Sequence, residues 1–117
     1  MREISAEMKS KLAGLLPVNS DFTVEFIPPS YKEIPEEFRA TFILKPWNAN
    51  QAKSLSTIGS NEATAVKMIV SQIVDIRNLY NISTGELVEF DPVKIGDLIP
   101  KRILLEVMSE LTRISGF

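Results

Sequence analysis

Spacings of three and four between apolar residues mark three stretches of this chain, and strict alternation marks two others. Ile4, Met8, Leu12, Leu15 and Leu16 recur at helical intervals, with Lys9, Ser10 and Lys11 facing away. An amphipathic helix is expected over 4–15, ended by Gly14 and Pro17. It either covers the core as a lid or forms a detachable arm that docks on a partner subunit. Phe22, Val24 and Phe26 alternate with Thr23 and Glu25, which predicts a half-buried strand stopped by Pro28-Pro29. Phe38, Ala40, Phe42 and Leu44 share one face of a second strand, and the two strands are expected to pair antiparallel. The connection over 28–37 is long for a hairpin and carries Tyr31 and Ile34 among prolines and glutamates. It reads either as a binding element or as a tether whose Tyr31 packs back on the sheet.

Lys45-Pro46-Trp47-Asn48 turns the chain out of the second strand. Asn48 and Gln51 then have the spacing of a capping box opening a short helix to Ser56. Trp47, the sole tryptophan, is either a core anchor at the sheet's edge or an exposed hot spot. After a polar break over 57–61, a helix is expected over 62–77. Ala65, Val66, Ile69, Val70, Ile73 and Ile76 fill one face, and Met68 and Val74 widen the apolar arc to roughly 220° at 100° per residue. A face that broad suits a helix central to the fold or one sandwiched between its own core and another subunit.

Ser83-Thr84-Gly85-Glu86 reads as a turn leading into a short strand or hairpin over 87–90, closed by Asp91-Pro92. Asp97 is expected to cap the last helix, with Pro100 in its first turn and Gly116 beyond its end at Ile114. Ile103, Leu104, Val107, Met108, Leu111 and Ile114 form the buried face of that helix, and Leu105 points elsewhere. The pattern as a whole predicts an α+β single domain over 1–117, mainly helical, with a small antiparallel sheet or hairpin. The helical arm occupies 1–16 and the core 20–117.

Composition narrows the chemistry. The 117 residues include no histidine and no cysteine. The usual neutral-pH proton shuttle and the thiol nucleophile are both missing, as are disulfides and thiolate zinc sites. Thirteen basic residues against 15 acidic ones give 13 − 15 = −2, and the bases are scattered, with Lys101-Arg102 as the adjacent pair. A nucleic-acid reader needs a basic stripe, so nucleic acid is not an expected partner. No apolar run approaches the roughly 20 residues that span a bilayer, and the acidic start Met1-Arg2-Glu3 lacks a signal core. A cytoplasmic protein without a membrane partner is expected, in a reducing compartment.

The remaining candidate chemistry is thin. Glu86, Glu89 and Asp91 are hard-cation ligands by type, but alternation divides them between faces and the calcium-loop spacing is missing. Glu36-Glu37 lacks the two contrasting environments that acid–base work needs. Gly59-Ser60-Asn61 before a helix is explained by a helix cap. No catalytic residue, cofactor or metal site is assigned, and the chain is expected to act by binding proteins. Tyr31, Ile34, Trp47, Met68, Val74 and Leu105 are the candidate contact residues.

The order of segments adds a family expectation. Phe38-Arg39-Ala40-Thr41-Phe42-Ile43-Leu44-Lys45-Pro46 opens into a helical region. Arg77-Asn78-Leu79-Tyr80-Asn81, Ser83-Thr84-Gly85-Glu86 and Val88-Glu89-Phe90 follow, then Leu98-Ile99-Pro100 and a helix ending Leu111-Thr112-Arg113-Ile114-Ser115. From residue 38 to 117 this layout resembles the small tail assembly chaperones, and related tail-region proteins, of long-tailed bacteriophages. The resemblance implies a non-enzymatic role in virion assembly in the host cytoplasm. Such proteins keep the tape-measure protein soluble, help recruit tail-tube subunits and leave the finished particle. The alternative is a head–tail connector or tail-completion adaptor retained in the virion, and either role allows self-association. A small enzyme using carboxylates and a metal is the third class.

Overall fold

The computed structural model describes residues 2–48, 51 and 62–116. Their fold is α+β, with a three-stranded antiparallel sheet in the order β1-β2-β3. β1 (Val24–Phe26) pairs antiparallel with β2 (Thr41–Leu44), as expected, and the register sets Val24 opposite Leu44, Glu25 opposite Ile43 and Phe26 opposite Phe42. An irregularity in register between Ile43 and Leu44 breaks the alternation of β2, so Phe42, Ile43 and Leu44 are all buried.

The third strand corrects the expected helix over 62–77. Helix covers only Glu62–Ser71, and Ile73–Arg77 is strand β3, paired antiparallel with β2. The β-branched residues Ile73, Val74 and Ile76 favour a pleated surface. Ile73 stands opposite Leu44 and Ile76 opposite Phe42, which gives both a buried cross-strand neighbour. The 220° arc was therefore two patterns overlaid, a helical one before Gln72 and a strand pattern after it. Gln72 makes the joint. It is 4% exposed, and its Nε2 donates to the carbonyls of Lys45 (2.8 Å) and Pro46 (2.9 Å).

The first helix, α1 (Ala6–Leu12), is capped by Ser5, whose hydroxyl accepts from the Met8 amide at 3.2 Å. Its orientation differs from the expected lid. No α1 residue is buried, and Ile4, Met8, Leu15 and Leu16 are exposed, whereas Ser10 faces the domain. Arg113 donates to the Ser10 carbonyl (3.0 Å) and hydroxyl (3.3 Å), and Ala13, which caps the end of the helix, is the residue of this segment that enters the core. Just beyond α1, Gly14 and Gly116, both with positive φ, meet backbone to backbone; a Cβ on Gly116 would lie 2.6 Å from the Gly14 carbonyl oxygen.

With Glu62–Ser71 as α2, the C-terminal part holds α3 (Ile95–Leu98) and α4 (Lys101–Ser115). Asp97 lies inside α3 and does not cap α4. Pro100 takes the N-cap position with no side-chain bond, its carbonyl accepting from Ile103 (3.0 Å) and Leu104 (3.1 Å). Gly116 ends α4 in the left-handed conformation at φ 81°. Ile103, Leu104, Val107, Leu111 and Ile114 are buried as expected, while Met108 is exposed, as is Leu105. These α4 residues join Phe42, Leu44, Ile73 and Ile76 of the sheet, with Ile95, in one core.

The capping box forms. The Asn48 amide donates to Gln51 Oε1 and the Gln51 amide to Asn48 Oδ1, both at 2.9 Å. The helix expected to follow it to Ser56, and the polar break over 57–61, lie outside the described residues.

Candidate functional site

The connection between β1 and β2 is built of two short 3-10 turns, Pro29–Glu33 and Glu36–Phe38, each preceded by a proline. Proline presets φ and removes a donor that the first turn does not need, so these residues wind locally rather than extend the sheet. Phe38 consequently leaves the inward strand face assigned from alternation. It is 47% exposed, while Ala40 begins the buried run.

Three anchors hold this connection in place. The amide of Ser30 donates to Glu106 Oε1 of α4 at 2.9 Å, and its hydroxyl donates to Glu106 Oε2. Arg39 Nε donates to the Ile34 carbonyl at 3.1 Å. Asn78, in the left-handed region at φ 63°, donates from Nδ2 to the carbonyls of Glu37 (2.8 Å) and Arg39 (3.1 Å). Tyr31, between these anchors, packs against the core. Burial, and secondarily the Glu106 carboxylate, pushes its hydroxyl above the ordinary tyrosine value.

The segment after β3 folds back on itself. Tyr80 and Leu87 bridge antiparallel, Val88 donates to the Leu79 carbonyl at 2.7 Å, and Gly85 supplies the turn at φ 72°. This hairpin-like turn lies beside the 3-10 turns, where the Phe38 and Tyr80 rings meet edge to face, their centroids 5.4 Å apart. Between the two segments and the end of α3 lies a groove of about 650 Å³. Tyr31, Ile34, Phe38, Tyr80, Ile82 and Leu98 line it. Ile82 is fully exposed, and Phe38 and Leu98 are about half exposed. An open apolar concavity with a polar rim has the surface chemistry of a protein-docking site.

The six candidate contact residues are distributed unevenly. Tyr31 and Ile34 meet in the groove. Leu105 belongs to a smaller apolar groove of about 290 Å³ between α2, α3 and α4, shared with Val66, Ile69 and Met108. Val74 is half exposed on β3, away from both grooves. Met68 is partly buried against the core. Trp47 is corrected to the core-anchor reading: it is 4% exposed, and its amide donates to Ser115 Oγ at 2.8 Å. The strand pattern hid Phe38, and the turn composition hid Tyr80 and Ile82. An isoleucine among Asn81, Ser83 and Thr84 is the signal the sequence offered.

The carboxylates do not converge. Glu86 and Glu89 are exposed, and Asp91 Oδ1 accepts from the Val93 amide at 2.9 Å in a local turn. Among the described residues no three acidic side chains are placed to hold a metal ion, and no helix is long and apolar enough to cross a membrane. Compared with protein-family models, curated proteins and solved structures, the chain finds no match.

Proposed function

We propose that this protein works without catalysis, as a tail assembly chaperone of a long-tailed bacteriophage that binds the tape-measure and tail-tube proteins in the host cytoplasm. The observation that carries the binding reading is the open apolar groove at Tyr31, Ile34, Phe38, Tyr80 and Ile82, held in shape by the bonds of Glu106, Arg39 and Asn78. Covering an exposed isoleucine or leucine completely is worth about 1.5–3 kcal/mol, so a partner segment that fills the groove gains most from Ile82 and Leu98. The phage assignment is supported by the resemblance of residues 38–117 in segment order and turn type.

A chaperone has to bind its client and let it go. A groove assembled from turns offers side chains and little strand edge, which suits a helical client that satisfies its own backbone. The test is size exclusion with light scattering, on the protein alone and after mixing with fragments of the tape-measure protein from the same genome. A defined mixed complex is the expected result. A closed oligomer that ignores the fragments and copurifies with mature particles would favour the connector or adaptor role instead.

A further inference from the structure

Arg113 holds the N-terminal segment with both its side chain and its backbone. Nη1 of the guanidinium donates to the Ser10 carbonyl at 3.0 Å, and Nη2 to the Ser10 hydroxyl at 3.3 Å. The other edge of the same group is gripped by Glu110, whose two oxygens accept from Nε at 2.7 Å and from Nη2 at 3.0 Å. A planar guanidinium held along one edge by a carboxylate presents its remaining donor in a fixed direction. Glu110 thus aims Arg113 at Ser10. Beside this contact, the Arg113 carbonyl and Gly116 occupy the space that a Cβ on Gly14 would need.

Few other contacts fasten the segment. Among residues 2–16 Ala13 alone is buried, and Ser10, Leu12 and Gly14 are half-buried. Ile4, Leu12 and Leu16 border an open concavity of about 510 Å³ shared with Val18 and Phe22, so these side chains face the stretch that follows α1. Between α1 and β1 lies a second concavity, lined by polar side chains such as Ser10, Thr23 and Glu25. α1 has seven residues, with an exposed Glu7–Lys11 pair at 3.5 Å along it. A helix this short is not stable alone in water, and an exposed pair adds little. Residues 17–21 are all exposed, with a turn in which the Phe22 amide donates to the Asn19 carbonyl at 3.1 Å.

We infer that residues 2–16 form a strap, latched by Arg113, that opens as one unit about residues 17–21 while the sheet and α4 stay folded. Opening withdraws one small side chain, Ala13, from the core and breaks the bonds at Ser10 and the backbone contact of Gly14 with Gly116. The released helix unwinds, because its seven residues lose their support. Elements with few buried contacts open below the free energy of global unfolding. The closed strap lies beside β1, an outer strand of the sheet, and the open one leaves that flank to solvent. The strap shares no residue with the groove at Ile82, so its opening and the proposed function are tested separately.

The test is native-state hydrogen exchange of the full chain, in wild type, Arg113→Ala and Glu110→Gln. Arg113 is exposed and Glu110 half-buried, and neither belongs to the core. In wild type the amides of residues 9–13 should share one protection factor, at least about tenfold below those of β2 and of residues 107–111. Arg113→Ala removes both side-chain bonds to Ser10 and should speed exchange over 9–13 at least about tenfold more, with β2 unchanged. Glu110→Gln leaves Arg113 in place without its charged clamp and should give a smaller increase over the same residues. Equal protection of 9–13 and β2 would show that the segment opens only with the whole domain. A gradient from residue 9 to residue 13 would show fraying rather than a unit. Either result overturns the inference, as does a variant that exchanges like wild type or one in which β2 loses protection together with the strap.

Discussion

Glu106 accepts two hydrogen bonds from Ser30, one from its backbone amide and one from its hydroxyl, across 76 positions of sequence. This pair ties the connection between β1 and β2 to the middle of α4 and places Tyr31 at the wall of the groove. Glu106→Ala leaves the partly buried Ser30 amide without its acceptor, at an expected cost of about 1–3 kcal/mol in unfolding free energy. Hydrogen exchange should rise over residues 29–38 before it rises in β2. Equal protection of the connection in the variant and in wild type would show that the pair does not hold it.

Gln72 performs a similar task at the joint between α2 and β3. Its side-chain amide donates to two carbonyls, and its oxygen accepts from Gln51 Nε2 at 3.2 Å. Gln72→Glu keeps the shape and removes the donors, setting a carboxylate against two carbonyl oxygens. Denaturant unfolding should show a loss of about 2–4 kcal/mol, larger than for Gln72→Ala, which buries no charge. A smaller loss for the glutamate would contradict the assigned donors.

Gly14 and Gly85 both have positive φ but differ in surroundings. A Cβ at Gly85 meets nothing within 4 Å, whereas at Gly14 it collides with the Arg113 carbonyl oxygen and with Gly116. Gly85→Ala should cost only the left-handed backbone penalty of about 1–2 kcal/mol. Gly14→Ala should cost more and also free α1, read as faster amide exchange over residues 6–13. Equal costs would mean that the Gly14–Gly116 contact contributes nothing.

Tyr31 gives the fold an alkaline limit. Its folded-state value lies above the unfolded value of about 10, chiefly through burial. Its contribution to stability is therefore complete below about pH 10 and is lost as pH rises through the folded value, where the buried proton must leave. Urea titrations between pH 9 and 11 should show wild type losing stability more steeply than Tyr31→Phe. Parallel curves would contradict the assignment.

Where a local pattern and its tertiary setting agree, the sequence was legible. β1 and β2 pair antiparallel as expected, Asn48 and Gln51 close their capping box, and Gly85 and Gly116 take left-handed conformations at the turn and the helix end. The strand β3 was not legible, because Ile73 and Ile76 continue the helical spacing of Ile69 by chance and only pairing with Phe42 and Leu44 decides between the forms. The orientation of α1 was misread because its seat is made by Ser10, Arg113, two glycine backbones and the small Ala13, rather than by the large apolar residues that set the helical pattern. For the groove, Tyr31 and Ile34 stood out on a long connection. Tyr80 and Ile82 did not, since their contribution depends on a turn returning beside that connection.

The most direct test of the groove is the affinity of the full chain for a tape-measure fragment, measured by titration calorimetry on wild type, Ile82→Asp and Leu105→Asp. Leu105 is the control, an exposed leucine in the smaller apolar groove. Binding is predicted to weaken at least about tenfold with Ile82→Asp and to change by less than about twofold with Leu105→Asp. Loss of binding with Leu105→Asp alone, or no heat with any of the three proteins, would contradict the groove at Tyr31 and Ile82 as the site of action.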